Sequence, residues 1–472
     1  MPSIALLPAL LVVALIAAPV HPDESLKKEA VKTVDAHRDA LVSLSDQVWR
    51  LAETALKETR SSALLADFAE QHGFRVTRGV GGLPTAFVAE YGDSAPVIAV
   101  MGEYDALPGI SQKARPAKAP FAEGAGGHGC GHNLFGAGSL GAALAVKQLI
   151  EAGKIEGTVR FYGTPAEEAV GGKIYMARAG AFEDVDVMLA WHPSVTTRAD
   201  TVSTQAIVDL AVEFEGRTAH AASDPWNARS AADGAEAFTH GINLLREHVK
   251  PSVRLHYVVQ SAGDVPNVVP DHARVWIWVR DWTRDGVEDV LARVRQIGEG
   301  AALVANVTHT ITVQGGDYEL LVNQAGAKAL DANLRWLGEI QYTDEEQAFA
   351  RELQRQAGVE PTGMTPEIVP LEGQEPEGGS TDVGDVSWIV PTLHVSVTTA
   401  PDVPWHAWPV VAASGMSIGH KGMLQATKVL AATMVDLFAN DRLRTEVREE
   451  FADQTEGFTY EPYIPPGPPM VP

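Results

Sequence analysis

The sequence predicts an α/β protein built on a mostly parallel sheet with helices on both faces, carrying an inserted two-layer α+β lid of ferredoxin-like order. Three observations carry that expectation. Runs such as Pro96 to Met101 and Val187 to Trp191 are continuously apolar, as strands covered on both faces are. They alternate with helical stretches, so each crossover lays the next strand parallel to the last. From about Thr204 the pattern changes to apolar and polar alternation, the mark of a sheet with one open face. A chain of 472 residues also exceeds the roughly 250 to 300 at which single cores stop growing. The expected division is a signal peptide over 1–22, a larger α/β domain split into 23–203 and 319–457, a lid or dimerisation domain over 204–318, and a proline-rich tail over 458–472.

Leu26 to Glu58 is helical in composition and free of Gly and Pro, and a second helix, Ser61 to Gln71, ends at His72-Gly73. Thr85 to Glu90 and Pro96 to Met101 read as strands, the second running into Gly102-Glu103-Tyr104-Asp105. Leu134 to Ala152 has apolar residues at helical spacing and stops at Gly153. The strand Thr158 to Tyr162, a helix around Lys173 to Arg178 and the strand Val187 to Trp191 follow. In the lid, strands at 207–214, 254–260, 273–282 and 308–313 and helices at 228–248 and 287–305 give the order βαββαβ. Helices resume near Asn323, a Gly/Glu/Pro-rich loop spans Glu372 to Gly379, Thr392 to Val397 is a strand, and a last helix begins near Met416. The tail from Tyr460 holds too much proline for regular structure.

A formal charge of −24 and a pI near 5.0 exclude nucleic acid and anionic membrane surfaces as partners, because both would repel the chain. Ile4 to Val20 is an apolar run ending in small residues and Pro19, followed by a polar stretch. It reads as a secretory signal, although no Lys or Arg precedes it, and it is short for a membrane span. The expected location is periplasmic or secreted, with no stable membrane association after processing. With one cysteine in the chain no internal disulfide is possible, and an exported thiol needs protection such as a metal gives.

That cysteine lies in Gly127-His128-Gly129-Cys130-Gly131-His132-Asn133, where a thiol and an imidazole two residues apart can reach one ion. Asp105, Glu167, Glu168 and His192 each follow a strand, at the carboxyl edge where open α/β sheets build their sites, and His406 lies in a loop. Singly each has an ordinary structural reading: a buried thiol, a solvated acidic pair, a packed histidine. Jointly, Cys130, His132, Glu167, Glu168, His192 and His406 supply about the donors that two metal ions need.

These motifs, with Gly102 to Pro108, Pro165 to Glu168, Trp191 to Pro193, Ala219 to Ala222, Pro266 to Val269 and Gly379 to Gly384, give the chain its resemblance to a known family. From about Leu26 to Gly457 it resembles the M20 family of dinuclear metallopeptidases and amidohydrolases, in the branch of aminobenzoyl-glutamate hydrolase and the amino-acid-conjugate hydrolases. The resemblance implies a zinc-peptidase-like fold and two divalent ions, zinc or manganese, held by Cys130, His132, Glu168, His192 and His406. It implies Glu167 as general base towards a metal-activated water, Asp105 as a residue orienting a ligand, and His220 as a lid histidine reaching an active site, in many relatives that of the partner subunit. Asn267 and Arg280 resemble residues that hold a substrate carboxylate. Glu103 stands where many relatives carry a histidine ligand, which leaves the donor set open at that position.

The function expected is metal-dependent hydrolysis of the amide bond of N-acyl or N-aroyl amino acids with a free carboxylate, by a homodimer. Trp226, Trp278, Trp282 and Trp405 suit an aromatic acyl group or ordinary packing. A dipeptidase or aminopeptidase of the same family is the alternative enzyme. An inactive periplasmic binding or metal-carrying protein is the alternative outside enzymes, and the retained Glu167 counts against it, since a carrier needs no base.

Overall fold

The computed structural model describes residues 24–376 and 378–469, so the predicted signal peptide lies outside the described residues. The strands among the described residues are β1 Arg75–Arg78, β2 Phe87–Tyr91, β3 Val97–Glu103, β4 Thr158–Thr164, β5 Val187–Ser194, β6 Arg198–Ala199, β7 Ala206–Glu215, β8 Arg254–Ser261, β9 His272–Asp281, β10 Thr308–Gly315 and β11 Thr392–Thr398. The larger sheet has the order β1-β2-β4-β3-β5-β11-β6. Its central strands β4, β3, β5 and β11 are parallel, as the apolar runs require, and antiparallel strands close both edges. All but the first residue of β3 are buried, which fits a strand covered on both faces.

The helix His132–Glu151 is central to packing on the larger sheet, with its first sixteen residues buried. Its glycines let it lie against the sheet: a Cβ at Gly136 would stand 2.6 Å from the Glu103 carbonyl oxygen. That close approach is what brings the start of this helix to the end of β3. Helices Ser417–Ala439 and Glu24–Ala36 pack beside it. The predicted first helix is broken at His37 into Glu24–Ala36 and Arg38–Leu51, and the last is followed by a separate helix, Asp441–Gln454.

The second sheet has the order β10-β7-β9-β8, antiparallel throughout, and helices Ala231–Leu245 and Arg284–Ala305 pack on one of its faces. This is the expected βαββαβ arrangement, and its core is separate from that of the larger sheet. Ser230 and Thr283 cap the two helices by accepting the N–H of Asp233 and Gly286. The tail has no helix or strand over 458–469, yet it is docked. Tyr463 is buried in the second core, and the Tyr460 hydroxyl donates to Asp385 at 2.6 Å.

Candidate metal centre

Each chemistry-bearing residue sits where a strand ends or a loop is pinned. Glu103 is the last residue of β3, and His192 lies within the end of β5 rather than after it. Gly131, at φ +81°, turns the chain so that His132 opens the long helix. After β4, Ala166 adopts φ +61°, unusual for a residue with a Cβ, and its N–H is held by Glu58 Oε1 at 3.0 Å. The one-turn helix carrying Glu167 and Glu168 starts from that turn. His406 likewise has φ +54° and donates its backbone N–H to the Gly129 carbonyl at 3.1 Å, which ties its loop to the Cys130 loop.

These placements bring Cys130, His132, Glu168, His192 and His406 together. Donor atoms of Cys130, His132 and His192 lie within 4.8 Å of one another, as do those of Cys130, Glu168 and His406, so the Cys130 sulfur is common to both groups. A third group is Glu103, His132 and Glu167. Asp105 joins two of these residues: Oδ1 is 2.9 Å from His132 Nδ1, and Oδ2 accepts the Glu168 N–H at 2.9 Å. A carboxylate on the far ring nitrogen fixes the imidazole's orientation and leaves Nε2 for a ligand.

Glu103 Oε2 and His132 Nε2 are 3.0 Å apart but not aligned as a hydrogen bond, and with Glu168 Oε1 they are buried atoms lacking a hydrogen-bond partner among the described residues. Buried polar atoms are nearly always satisfied, so this convergence of unpaired imidazole and carboxylate atoms beside a thiol fits a divalent cation. Glu103 therefore joins the candidate donors.

The electrostatics point the same way. Burial and the Glu103 and Glu168 carboxylates push Glu167 well above the usual carboxylate range. Burial, then Glu168, pushes the Cys130 thiol up to about 12, and Glu168 itself is raised to about 7 by burial and then by Asp105 and Glu103, against the lowering by His132. Burial lowers His192 to about 4. His132 goes up in spite of burial, because Glu103, Cys130 and Asp105 surround it. Divalent cations would offset this excess of negative groups.

Two residues that sequence reasoning missed complete the surroundings. Lys173, fully buried, donates to Glu103 Oε1 at 2.6 Å and Asp382 Oδ1 at 2.5 Å. Glu58, also fully buried, holds the Ala166 turn. A charged residue at a helix start carries no sequence signal of burial, although Asp382 lies inside the quoted Gly379 to Gly384 motif.

The lid residues fall in two places. Arg280 on β9 donates to Ser380 Oγ at 2.8 Å and lies over the Trp278 ring, so it reaches the catalytic body of its own chain. His220 and Asn267 are exposed on adjoining loops, where the Ala221 N–H donates to the Asn267 carbonyl at 3.0 Å. Among the described residues no hydrogen bond joins either to the donor cluster. Of the four tryptophans, Trp405 alone has its indole on a donor atom, and Trp226 is largely exposed.

A thiol, imidazoles and carboxylates converging at the carboxyl edge of a parallel sheet, with a ferredoxin-like lid inserted, define a metal-dependent hydrolase architecture. Residues 99–369 match peptidase family M20/M25/M40. The chain is 37% identical over 461 residues to a p-aminobenzoyl-glutamate hydrolase chain of Escherichia coli (strain K12), covering 92% of this chain and 96% of that protein. It is 30% identical over 441 residues to the Xaa-Arg dipeptidase of Mus musculus, covering 91% and 92%. The fold resembles that of a dinuclear metal-binding peptidase of the M20 family from Bacillus subtilis, with TM-score 0.61 at 19% identity over 86% of this chain and 99% of that one. This chain belongs to peptidase family M20/M25/M40 and is a hydrolase acting on amide bonds.

Proposed function

We propose that the protein is a dinuclear metal-dependent amidohydrolase that cleaves N-acyl or N-aroyl amino acids carrying a free carboxylate, as aminobenzoyl-glutamate does. The carrying observation is the pair of donor groups sharing the Cys130 sulfur. His132, His192, Cys130, Glu168 and His406 would hold the ions, with Glu103 as a further donor. Two such ions, zinc or manganese, supply Lewis acidity and lower the pKa of water towards about 7.

The chain's own residues do the rest. Glu167, with its raised proton affinity, takes a proton from the attacking water and returns it to the leaving nitrogen, help worth roughly 10² to 10⁴ in rate. Asp105 keeps His132 and the Glu168 backbone in register. Arg280 receives the substrate carboxylate, and Asn267 and His220 act from the lid. Exposure of those last two supports a homodimer in which each lid serves the other subunit's site. The apolar segment within 1–22 supports export.

Metal analysis beside a panel of aroyl-glutamates, acyl amino acids and free dipeptides tests this reading. Close to two metals per chain, chelator-sensitive release of amino acid from acylated substrates, and loss of turnover in Glu167→Ala with metal retained are expected. Likeness to the Xaa-Arg dipeptidase favours a second reading, cleavage of dipeptides, and preference for a free α-amino group would select it. A chain that binds no metal after reconstitution with zinc, manganese or cobalt would overturn both.

A further inference from the structure

Trp405 does more at the Cys130 sulfur than packing requires. Its indole Nε1–H donates to Cys130 Sγ at 3.4 Å, while His192 Nε2 lies 3.4 Å from the same sulfur. That sulfur belongs to both Cys130-containing donor groups. The next residue is His406, whose φ of +54° is held by its N–H bond to the Gly129 carbonyl at 3.1 Å. Two hydrogen bonds, side chain to sulfur and backbone to backbone, thus fasten the loop carrying one donor to the loop carrying another. Trp408 is the contrast. It lies on the other side of His406 and packs with Trp405 against the same apolar cluster, but its indole makes no hydrogen bond to the sulfur among the described residues. Both indoles pack on the cluster, and of the two only that of Trp405 sets its N–H on the sulfur.

Resting on the metal reading above, the geometry points to Trp405 as a positioning residue of the metal centre, its indole N–H holding and polarising the Cys130 sulfur and fixing the loop that presents His406. A hydrogen bond to a metal-bound thiolate lowers the energy of the sulfur lone pairs, and losing a group that holds and orients a ligand in this way typically costs about 10- to 100-fold in metal affinity.

The test is optical. In the cobalt(II)-substituted protein, the thiolate-to-cobalt charge-transfer band of Trp405→Phe should move to lower energy than in the wild type, and cobalt should bind about tenfold more weakly. Trp408→Phe should leave the band where it is. If Phe leaves the loop too loose to load cobalt, benzothienylalanine at position 405, which keeps the bicycle and lacks the N–H, gives the same comparison. A wild-type band that does not move in the non-donor variant would overturn the role of Trp405 and leave the metal centre standing. A loaded wild type with no thiolate band would overturn both, since Cys130 would not be a ligand.

Discussion

Lys173 has no exposed surface and donates to two carboxylates, one at the end of β3 and one in the Gly379 to Gly384 loop. Removing one partner from such a cluster leaves uncompensated buried charge, which costs about 3 to 5 kcal/mol. Lys173→Met should therefore lower stability by about that amount at pH 7, read as a shifted denaturation midpoint, and an unshifted midpoint would show that Glu103 and Asp382 find other partners. Proton linkage gives a second expectation at this scale. Burial holds the Cys130 thiol at about 12, Glu168 is raised to about 7, and His132 is raised by Glu103, Cys130 and Asp105, so near neutral pH the first and third carry protons and Glu168 does in part. A metal must displace those protons, so its uptake releases them and its affinity rises with pH between about 6 and 8. Calorimetric titration in two buffers of different ionisation enthalpy measures the release directly. Equal heats in the two would contradict the protonation pattern.

At the scale of elements, the tail shows how a segment without secondary structure can hold one in place. Arg284, at the start of a lid helix, lies over the rings of Tyr318 and Tyr463, at 4.4 and 3.2 Å from their centroids, and the Tyr463 hydroxyl donates to Glu288. Arg178, on the catalytic body, donates to the carbonyls of Pro465 and Gly467. Tyr463→Ala opens a cavity in the lid core and should cost about 3 kcal/mol, the lower end for large aromatic truncations. Faster hydrogen exchange in β7 and β9 with unchanged metal content is the expected reading, and unchanged exchange would mean the ring only covers the surface. Sequence could place the strands because a run such as Val187 to Trp191 has one physical use, burial on two faces. It could place Cys130, His132 and the paired glutamates because their residue types and glycine-rich surroundings are unusual. It could not place the break at His37, where neither Gly nor Pro signals a stop. Nor could it find the buried Lys173 and Glu58, which are spelled like surface charges, or the Trp405 bond to a sulfur 275 positions away. Those features depend on which loops the fold brings together.

For the whole molecule, the proposed homodimer must form between chains that each carry −24. Long-range repulsion opposes it, so contacts must be short-ranged, and association should strengthen with salt as repulsion is screened. The lid offers such a surface. β8 is an edge strand of the order β10-β7-β9-β8, and Val258 and Val259 on it and Leu244 on the neighbouring helix are 58%, 45% and 58% exposed. A long exposed edge with apolar side chains is a template for pairing with another copy. His220 and Asn267 are exposed and have no hydrogen bond to their own chain's donor cluster among the described residues, so in the proposed dimer they serve the partner's site. Mixing two inactive proteins tests this directly. His220→Ala keeps Glu167 but gives its partner no histidine, whereas Glu167→Ala keeps the histidine but lacks the base. After subunit exchange, a heterodimer has one site in which Glu167 meets an intact His220 from the other chain. With half the dimers mixed and one working site in each, turnover should recover to about a quarter of wild type, because an isologous dimer contains both sites related by the same axis. Recovery should also grow with the rate of subunit exchange and fail if β8 is blocked by Val259→Lys. No recovery despite demonstrated exchange would place His220 in its own chain's site, and the lid would then have to close within one subunit.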